Sequence, residues 1–462
     1  MIYTRKDFLK KSAVMAAALM STGIRSQDNN GKSAVIVGGG LSGLTSAYSL
    51  KKQGFSVTVL EAGARLGGRV LTYYGDGVNA ELGGEWISSG HSDILSLIDE
   101  LGLKTTEFAL SPDLLEYSSY RQSGSWDLLP ESKEILSKLT RIYEKMPARQ
   151  KKGMDQISFF HYLRYQGINR KDLKLLDLVL KSHYGESIRR LSAEAVIGDY
   201  ARKSDRYGIN VKIAGGNFGL ITRLAKKIGK ENILLSEEVR SVKQQDKVIV
   251  TTASGREVTA DFCVVTVPAT VLEEIRWEPE LPREKKLALL KMQYARKGKY
   301  IYFTKAANPG KEKLDIIAEG PFNRIYNSTQ DNQSKVFTLI SSGDVSELLA
   351  GDKDLAGNML ESSLKKAGIN ILDGRHVNYS FQNDPFIKGS NSVYTAGSWG
   401  IRDMLSKPVK NIYFAGEHLA EVNGTMNSAV SSGAAVAREI GSRTEKSLSF
   451  WPLLSQDTGL HS

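Results

Sequence analysis

The chain has 462 residues, 41% hydrophobic and 24% charged, with a formal net charge of +11. That length exceeds one simple core, so two intertwined domains of ordinary globular composition are expected. The single cysteine, Cys263, excludes an internal disulfide framework and a cysteine-rich metal centre, the six histidines do not pair at metal-ligand spacing, and no G-x-S-x-G elbow supplies a hydrolase nucleophile.

Part of the positive charge sits in residues 1–32, where Arg5, Lys6, Lys10, Lys11, Arg25 and Lys32 outweigh Asp7 and Asp28. Thr4-Arg5-Lys6-Asp7-Phe8-Leu9-Lys10 leads into the short apolar stretch Ser12 to Met20, and this order reads as an export signal. The stretch is shorter than the ~20 residues that cross a bilayer, so no stable membrane span is expected. The pattern resembles a twin-arginine signal with Lys6 in place of the second arginine, and implies an exported, periplasmic protein. The alternative is a frayed N-terminal helix. Asn29-Asn30-Gly31-Lys32 reads as the linker into the first strand.

Ser33 to Val37 predicts a strand, followed by Gly38-Gly39-Gly40-Leu41-Ser42-Gly43 and a helix ending near Lys52. Gly38, Gly40 and Gly43 fit G-x-G-x-x-G. The first glycine makes the tight turn, the second admits a pyrophosphate, and the third lets the helix pack on the strand. The helix opens at Leu41 and Ser42, with N–H groups and a positive dipole end toward the phosphates. Gly54 ends the helix, Ser56 to Leu60 predicts a second strand, and Glu61 follows, beside Ala62, where an acid accepts hydrogen bonds from a ribose. A glycine-rich turn without a ligand is the alternative. Gly67-Gly68-Arg69 then points to FAD over NAD, because the arginine can neutralise a pyrophosphate and the glycines permit close backbone contact. Farther along, Lys133 to Lys152 is a basic run with interleaved apolar residues. It reads as a solvated helix face, and without aromatic interleaving no nucleic-acid partner is expected.

These residues resemble the flavin-containing amine oxidase family, which includes monoamine, polyamine and L-amino-acid oxidases. VIVGGGLSGLTSA (Val35–Ala47), VLEAGARLGGRV (Val59–Val70) and ELGGEWI (Glu81–Ile87) are similar to its opening. Tyr184-Gly185 with Leu191-Ser192-Ala193 looks like its helical substrate domain, and Gly215-Gly216-Asn217 opens the return to the FAD domain. Val264 to Pro268 with Leu281-Pro282 is similar to its second strand region. Tyr413-Phe414-Ala415-Gly416-Glu417-His418, with Gly424 to Ala429, looks like its closing flavin motif. Phytoene-type desaturases share the first and last motifs, but the Glu81–Trp86 block favours the amine oxidases.

The resemblance implies roles for residues of this chain. Glu61 meets the adenosine ribose, Gly68 and Arg69 the pyrophosphate region, and Val239 the adenine side through its backbone. Gly83, Gly84, Glu85 and Trp86 lie beside the flavin. Gly416 and Glu417 hold the ribityl–diphosphate part, and Thr425 and Met426 start a helix aimed at the isoalloxazine ring, where a helix N-terminus stabilises negative charge. Lys299 matches the family lysine that holds a water at the flavin's reactive nitrogen. Lys297, two residues earlier on the same strand face, is its alternative, and a surface cation in a basic hairpin is another.

Departures appear at Asn391 and Thr425, where monoamine oxidases frame the flavin with aromatic side chains, and at Trp86, where amino-acid oxidases carry the arginine for a substrate carboxylate. Tyr394, Trp399 and His418 are further candidates for the pocket wall. The expected fold class is α/β, a discontinuous Rossmann-like FAD-binding domain (33–110, 206–290 and 376–445) interleaved with an α+β substrate domain (111–205 and 291–375), ending in a tail (446–462). The expected activity is FAD-dependent oxidation of an amine or amino acid. Hydride passes from the substrate's α-carbon to non-covalently bound FAD, the imine hydrolyses, and dioxygen is reduced to hydrogen peroxide. The alternatives are a flavin desaturase or isomerase of a hydrophobic substrate, and a flavin-binding protein that has lost catalysis.

Overall fold

The computed structural model describes residues 31–108, 114–117, 120–123, 128–202, 210–329 and 334–449. The expected export signal, and Phe450-Trp451-Pro452 of the expected tail, lie outside the described residues. The closing helix, Met426–Ser449, continues past residue 445 into the stretch read as tail.

Along the strand Ser33–Val37, Ala34 and Ile36 enter one apolar cluster while Val35 and Val37 enter another. A strand buried on both faces belongs inside a parallel sheet with both sides covered. That sheet has five strands, all parallel, in the spatial order Ile233–Leu235, Ser56–Glu61, Ser33–Val37, Phe262–Val265, Ile412–Phe414. Numbered along the chain the order is 3-2-1-4-5, so the winding reverses beside the first strand. Open parallel sheets bind ligands outside the strand carboxyl ends at such a reversal, and the Gly38–Gly43 loop leaves the first strand there.

Helices Leu41–Lys52, Ser92–Glu100, Phe218–Ile228 and Met426–Ser449 cover one face. The other face is covered by a four-stranded sheet containing Val239–Gln244 and Val248–Thr252, and by the helix Arg283–Lys291. Each buried Val or Ile along the sheet contributes about 1.5–3 kcal/mol relative to exposure. The first helix seats directly on its loop because Gly43 has no side chain. A Cβ at Gly43 would lie 2.0 Å from the Gly38 carbonyl oxygen. Gly38 itself holds φ +107°, a conformation side chains oppose.

Residues 130–201 form a helical layer: Pro130–Glu144, Ala148–Asp155, Phe159–Tyr165, Arg170–Tyr184 and Ala193–Ala201. Side-chain caps define several starts. Ser158, Asn169 and Ser192 accept the backbone N–H of His161, Asp172 and Ala195. Gly185, left-handed at φ 80°, stops the fourth helix after Tyr184. The basic run reads as expected: Lys133, Lys138, Arg141, Lys145, Arg149 and Lys152 are exposed while Leu139 and Tyr143 are buried.

A second, seven-stranded sheet runs Arg375–Tyr379, Lys297–Thr304, Lys335–Ser342, Arg324–Asn327, Asp315–Ala318, Leu114–Tyr117, Tyr120–Ser123. Along Lys297–Thr304 the side chains alternate: Tyr300 and Tyr302 join one cluster, Ile301 and Phe303 another. The period of two puts Lys297 and Lys299 on the Ile301 face. Among the described residues, no helix is long and apolar enough to cross a membrane, and no group of His, Cys, Asp and Glu is arranged to hold a metal ion.

Candidate active site

A cavity of about 400 Å³ lies along the carboxyl ends of the parallel sheet and extends to the seven-stranded sheet and the end of Arg170–Tyr184. It is lined by Gly38, Gly40, Leu41, Ser42, Glu61, Ala62, Gly68, Arg69, Gly83, Gly84, Glu85, Trp86, Val239, Lys299, Gly416, Glu417, Thr425 and Met426. Thus four stretches far apart in the chain, 38–86, Val239, Lys299 and 416–426, meet at one space. Of the residues expected to bind the cofactor or act at it, Gly43 alone does not line it; it packs beneath the loop instead.

At one end, the Glu61 carboxylate follows its strand and accepts the N–H groups of Gly39 and Gly63, both at 2.7 Å. Burial pushes its carboxyl up, against the opposing pull of those N–H groups and Arg65. Val239 opens its strand at the same end.

In the middle, Gly40 is the N-cap of Leu41–Lys52 and offers no side-chain cap. The Ser42 hydroxyl is buried there without a hydrogen-bond partner. An unpaired hydroxyl at a helix N-terminus is what a phosphate oxygen satisfies, so the loop fits the diphosphate of a dinucleotide. Arg69 Nη1 donates to Glu417 Oε1 at 2.6 Å and to the Ser390 carbonyl at 2.6 Å, and its guanidinium lies 5.4 Å from the Tyr294 ring centre. Glu417 also accepts the Ser392 hydroxyl at 2.6 Å and the Gly424 N–H at 2.8 Å. Burial opposes its charge, but Arg69 and these donors hold its carboxyl below the usual range. The Glu417 carboxylate is therefore occupied in joining the first and last motifs through Arg69.

At the far end, the helix Met426–Ser449 begins against the Gly83-Gly84 turn. A Cβ on Gly84 would come 2.9 Å from Met426 Cγ. Thr425 Oγ1 accepts the Ser428 N–H at 3.0 Å and so acts as a cap. Trp86 packs on Tyr326 with ring centres 5.5 Å apart, and the Arg324 guanidinium lies 4.7 Å from the Trp86 ring centre. Arg324 is held in turn by Asp315 through two hydrogen bonds of 2.9 and 2.8 Å.

Lys299 Nζ donates to the Gly83 carbonyl at 3.0 Å and to Glu85 Oε2 at 2.6 Å. Lys212 Nζ donates to Glu85 Oε1 at 2.5 Å, and Tyr326 OH donates to Glu85 Oε2 at 2.5 Å. Burial works against a charged Glu85, but the two lysines outweigh it and hold its carboxyl down at about 2. Neighbouring Glu81 is raised to about 7, chiefly by burial, with the Asn217 N–H opposing. Lys297 lines the same cavity and donates to the His183 carbonyl at 3.0 Å.

Several expectations are corrected. Tyr394, Trp399 and His418 do not line the cavity. The Tyr394 hydroxyl donates to the His418 carbonyl at 2.8 Å, the Trp399 backbone N–H donates to Asp155, and His418 is buried behind the Gly416 turn. Asn391 does line it, with its amide donating to the Tyr184 carbonyl at 3.0 Å. Sequence reasoning missed Lys212 and Tyr326. Neither Asn210–Ile213 nor Arg324–Asn327 alternates in burial, so the local pattern marks neither residue and carries no sign of their partner.

Residues 41–441 match the family described as flavin containing amine oxidoreductase. Polyamine oxidase 4 of Oryza sativa subsp. japonica is 26% identical over 94% of this chain and 93% of its own length. An L-amino-acid oxidase of Bothrops pauloensis is 26% identical over 91% of each. In fold, a putrescine oxidase solved with bound putrescine superposes with a TM-score of 0.79 at 22% identity, over 89% of this chain and 99% of that one. Cyclohexylamine oxidase from Brevibacterium oxydans IH-35A gives a TM-score of 0.79 at 19% identity, over 90% of this chain and 100% of that one. The chain belongs to the flavin-containing amine oxidoreductase family, and is a flavin-dependent oxidoreductase.

Proposed function

We propose that the protein oxidises a small amine or amino acid at the carbon bearing nitrogen, with FAD bound without a covalent link and dioxygen as the final oxidant. FAD, when bound, supplies a two-electron acceptor for the hydride and returns the electrons to dioxygen. The products are an imine, which water hydrolyses, and hydrogen peroxide. The observation that carries this reading is the Lys299 ammonium, fixed beside the Gly83-Gly84 turn in the same cavity as the Gly38–Gly43 loop.

The roles follow the cavity. Glu61 and Val239 receive the adenosine, and Gly38, Gly40, Leu41, Ser42, Gly68, Arg69 and Gly416 the diphosphate. Gly83, Gly84, Trp86 and Met426 border the ring, and Lys299 acts at its reactive edge, where a cation favours negative charge developing on dioxygen. The FAD-binding domain is drawn from residues 33–110, 206–290 and 376–445, and the substrate domain from 111–205 and 291–375. Cys263 supports non-covalent binding, since the chain's one cysteine is buried in the parallel sheet, outside the cavity lining. The aromatics absent at Asn391 and Thr425 have a counterpart in Trp86, Tyr184 and Tyr326, which supply aromatic wall. Residues 1–32 direct export.

An anaerobic screen of amines and amino acids against the yellow protein tests the reading. Bleaching by one of them, followed by peroxide and a carbonyl product on admitting air, is the expected result. Bleaching without imine-derived carbonyl would indicate a desaturase, and no bleaching by any amine or amino acid would indicate a flavin protein without this activity.

A further inference from the structure

We propose that Glu85 is a positioning residue for the flavin-edge lysine: with Lys212 and Tyr326 it forms a buried clamp that aims the Lys299 ammonium into the cavity without cancelling its charge. This rests on the reading of Lys299 given above and adds how that lysine is held.

Four separate segments converge on one carboxylate. Glu85 follows the Gly83-Gly84 turn, Lys212 comes from Asn210–Ile213, Lys299 from Lys297–Thr304 and Tyr326 from Arg324–Asn327. The cluster is nearly dry: side-chain exposure is 4% for Glu85, 2% for Lys212 and 13% for Lys299. The slight opening at Lys299 is toward the cavity it lines.

The geometry divides the work. Lys212 takes Oε1, which leaves Oε2 for Lys299 and Tyr326. An ammonium has three donors in fixed tetrahedral directions. Two of those on Lys299 are committed within the protein, to Glu85 and to the Gly83 carbonyl, so the direction of the third is set. Tyr326 fixes the carboxylate, and its own ring is braced by Trp86.

Charge gives the second half of the argument. A lone Lys–Glu pair would be neutral, and would offer little attraction to an anion forming nearby. Here one carboxylate serves two ammonium groups, so the cluster keeps one net positive charge at the cavity wall while neighbouring Glu81, raised to about 7 chiefly by burial, stays protonated below that value. Such an arrangement is a poor stability device. Burying three charges costs several kcal/mol per ion, and apolar replacements of similar size often stabilise a fold. Lys212 is instead placed to absorb the charge of Glu85, with its ammonium 3.5 Å from the Phe108 ring centre as further support.

The test separates position from charge. Glu85→Gln with Lys212→Met removes one negative and one positive charge, so net charge is kept while the clamp is lost. In the FAD-loaded double variant, anaerobic reduction by substrate should stay near the wild-type rate. The midpoint potential of the flavin should stay near wild type too, while reoxidation by dioxygen slows by about tenfold, the scale of a misplaced group near the chemistry. Lys212→Met alone keeps the position and neutralises the cluster, so its flavin potential should fall. Lys299→Met is measured alongside. If it reoxidises as fast as wild type, the reading of Lys299 itself fails. If it is slow while the double variant is normal, the clamp alone is wrong. A potential shift in the double variant large enough to explain its slow reoxidation also overturns the positioning role. Should the double variant not load FAD, Tyr326→Phe decides: it deletes one hydrogen bond of the clamp, and unchanged reoxidation there refutes the proposal.

Discussion

Arg69→Ala is expected to cost more than a lost hydrogen bond. The Glu417 side chain is 8% exposed and that of Arg69 23%, so the pair sits largely out of water. Removing the guanidinium leaves the carboxylate buried with only the Ser392 and Gly424 donors. Breaking one partner from a buried ion pair costs about 3–5 kcal/mol. At roughly 2–4 °C per kcal/mol for a large domain, the melting temperature should drop by roughly 6–20 °C. The loss should depend on pH. Glu417 is depressed by Arg69 and its hydrogen bonds, so the wild-type advantage is present above the unfolded carboxyl value and disappears as pH falls through the folded one. Arg69→Lys keeps charge but loses the guanidinium whose Nη1 serves Glu417 and Ser390 together, and should fall between. Thermal unfolding followed by flavin fluorescence and by tryptophan fluorescence reads both cofactor release and the fold. Equal melting curves for wild type and Arg69→Ala at pH 7 would refute the claim that this pair ties the first and last motifs together.

Glu61→Ala should weaken FAD binding by at least about tenfold, since a charge-assisted bond to ribose is worth roughly 1.5–3 kcal/mol; full FAD occupancy after dilution would contradict it. Lys299→Met should stay yellow and be reduced by substrate, yet react with dioxygen about tenfold or more slowly, and stopped-flow mixing of the reduced protein with oxygen decides the point, with Lys297→Met as the comparison on the same strand face. Acid precipitation should leave FAD in the supernatant, and flavin retained in the pellet would rule out non-covalent binding. Glu81 is raised to about 7, chiefly by burial. Its proton is held more tightly in the fold, so its contribution is present below the unfolded value of about 4.3 and is lost as pH rises through 7. Glu81→Gln should therefore gain stability relative to wild type between pH 5 and 8 (an approximate window), and a constant difference across that range would count against it.

The FAD-binding half was legible because its chemistry is local. Ser33–Val37, the glycine loop, Leu41–Lys52 and Ser56–Glu61 follow one another within a short stretch, and each glycine has a steric reason visible in the pattern. Gly43 shows the limit even there. Its spacing marks it as part of the phosphate loop, but its contribution is to let the helix touch Gly38, and it does not reach the cavity. Glu417 is a second case. Sequence places it at the cofactor, while the fold uses its carboxylate to hold Arg69, a partner 348 positions away in the chain. Pairing over that distance leaves no local periodicity.

The far end of the cavity was less legible for a related reason. Tyr394, Trp399 and His418 are large, near the closing motif, and of a type that lines pockets, yet none lines the cavity: the Tyr394 hydroxyl serves the His418 carbonyl and the His418 ring is buried. Lys212 is the opposite case. A lysine between valine and isoleucine in a short strand resembles a solvated edge residue, but its ammonium is buried because Glu85 is there to receive it. Burial of such a charge is tolerable only with its partner in place, and the partner arrives from the irregular stretch between Val78–Glu81 and Ile87–Ser88. The family resemblance pointed to Lys299, which lines the cavity together with its alternative Lys297, and placed Glu85 beside the flavin without a sign of its ion pairs to Lys299 and Lys212. A residue's place in a motif is local in sequence, whereas the pairing of Glu85 with Lys212, Lys299 and Tyr326 is set by tertiary structure.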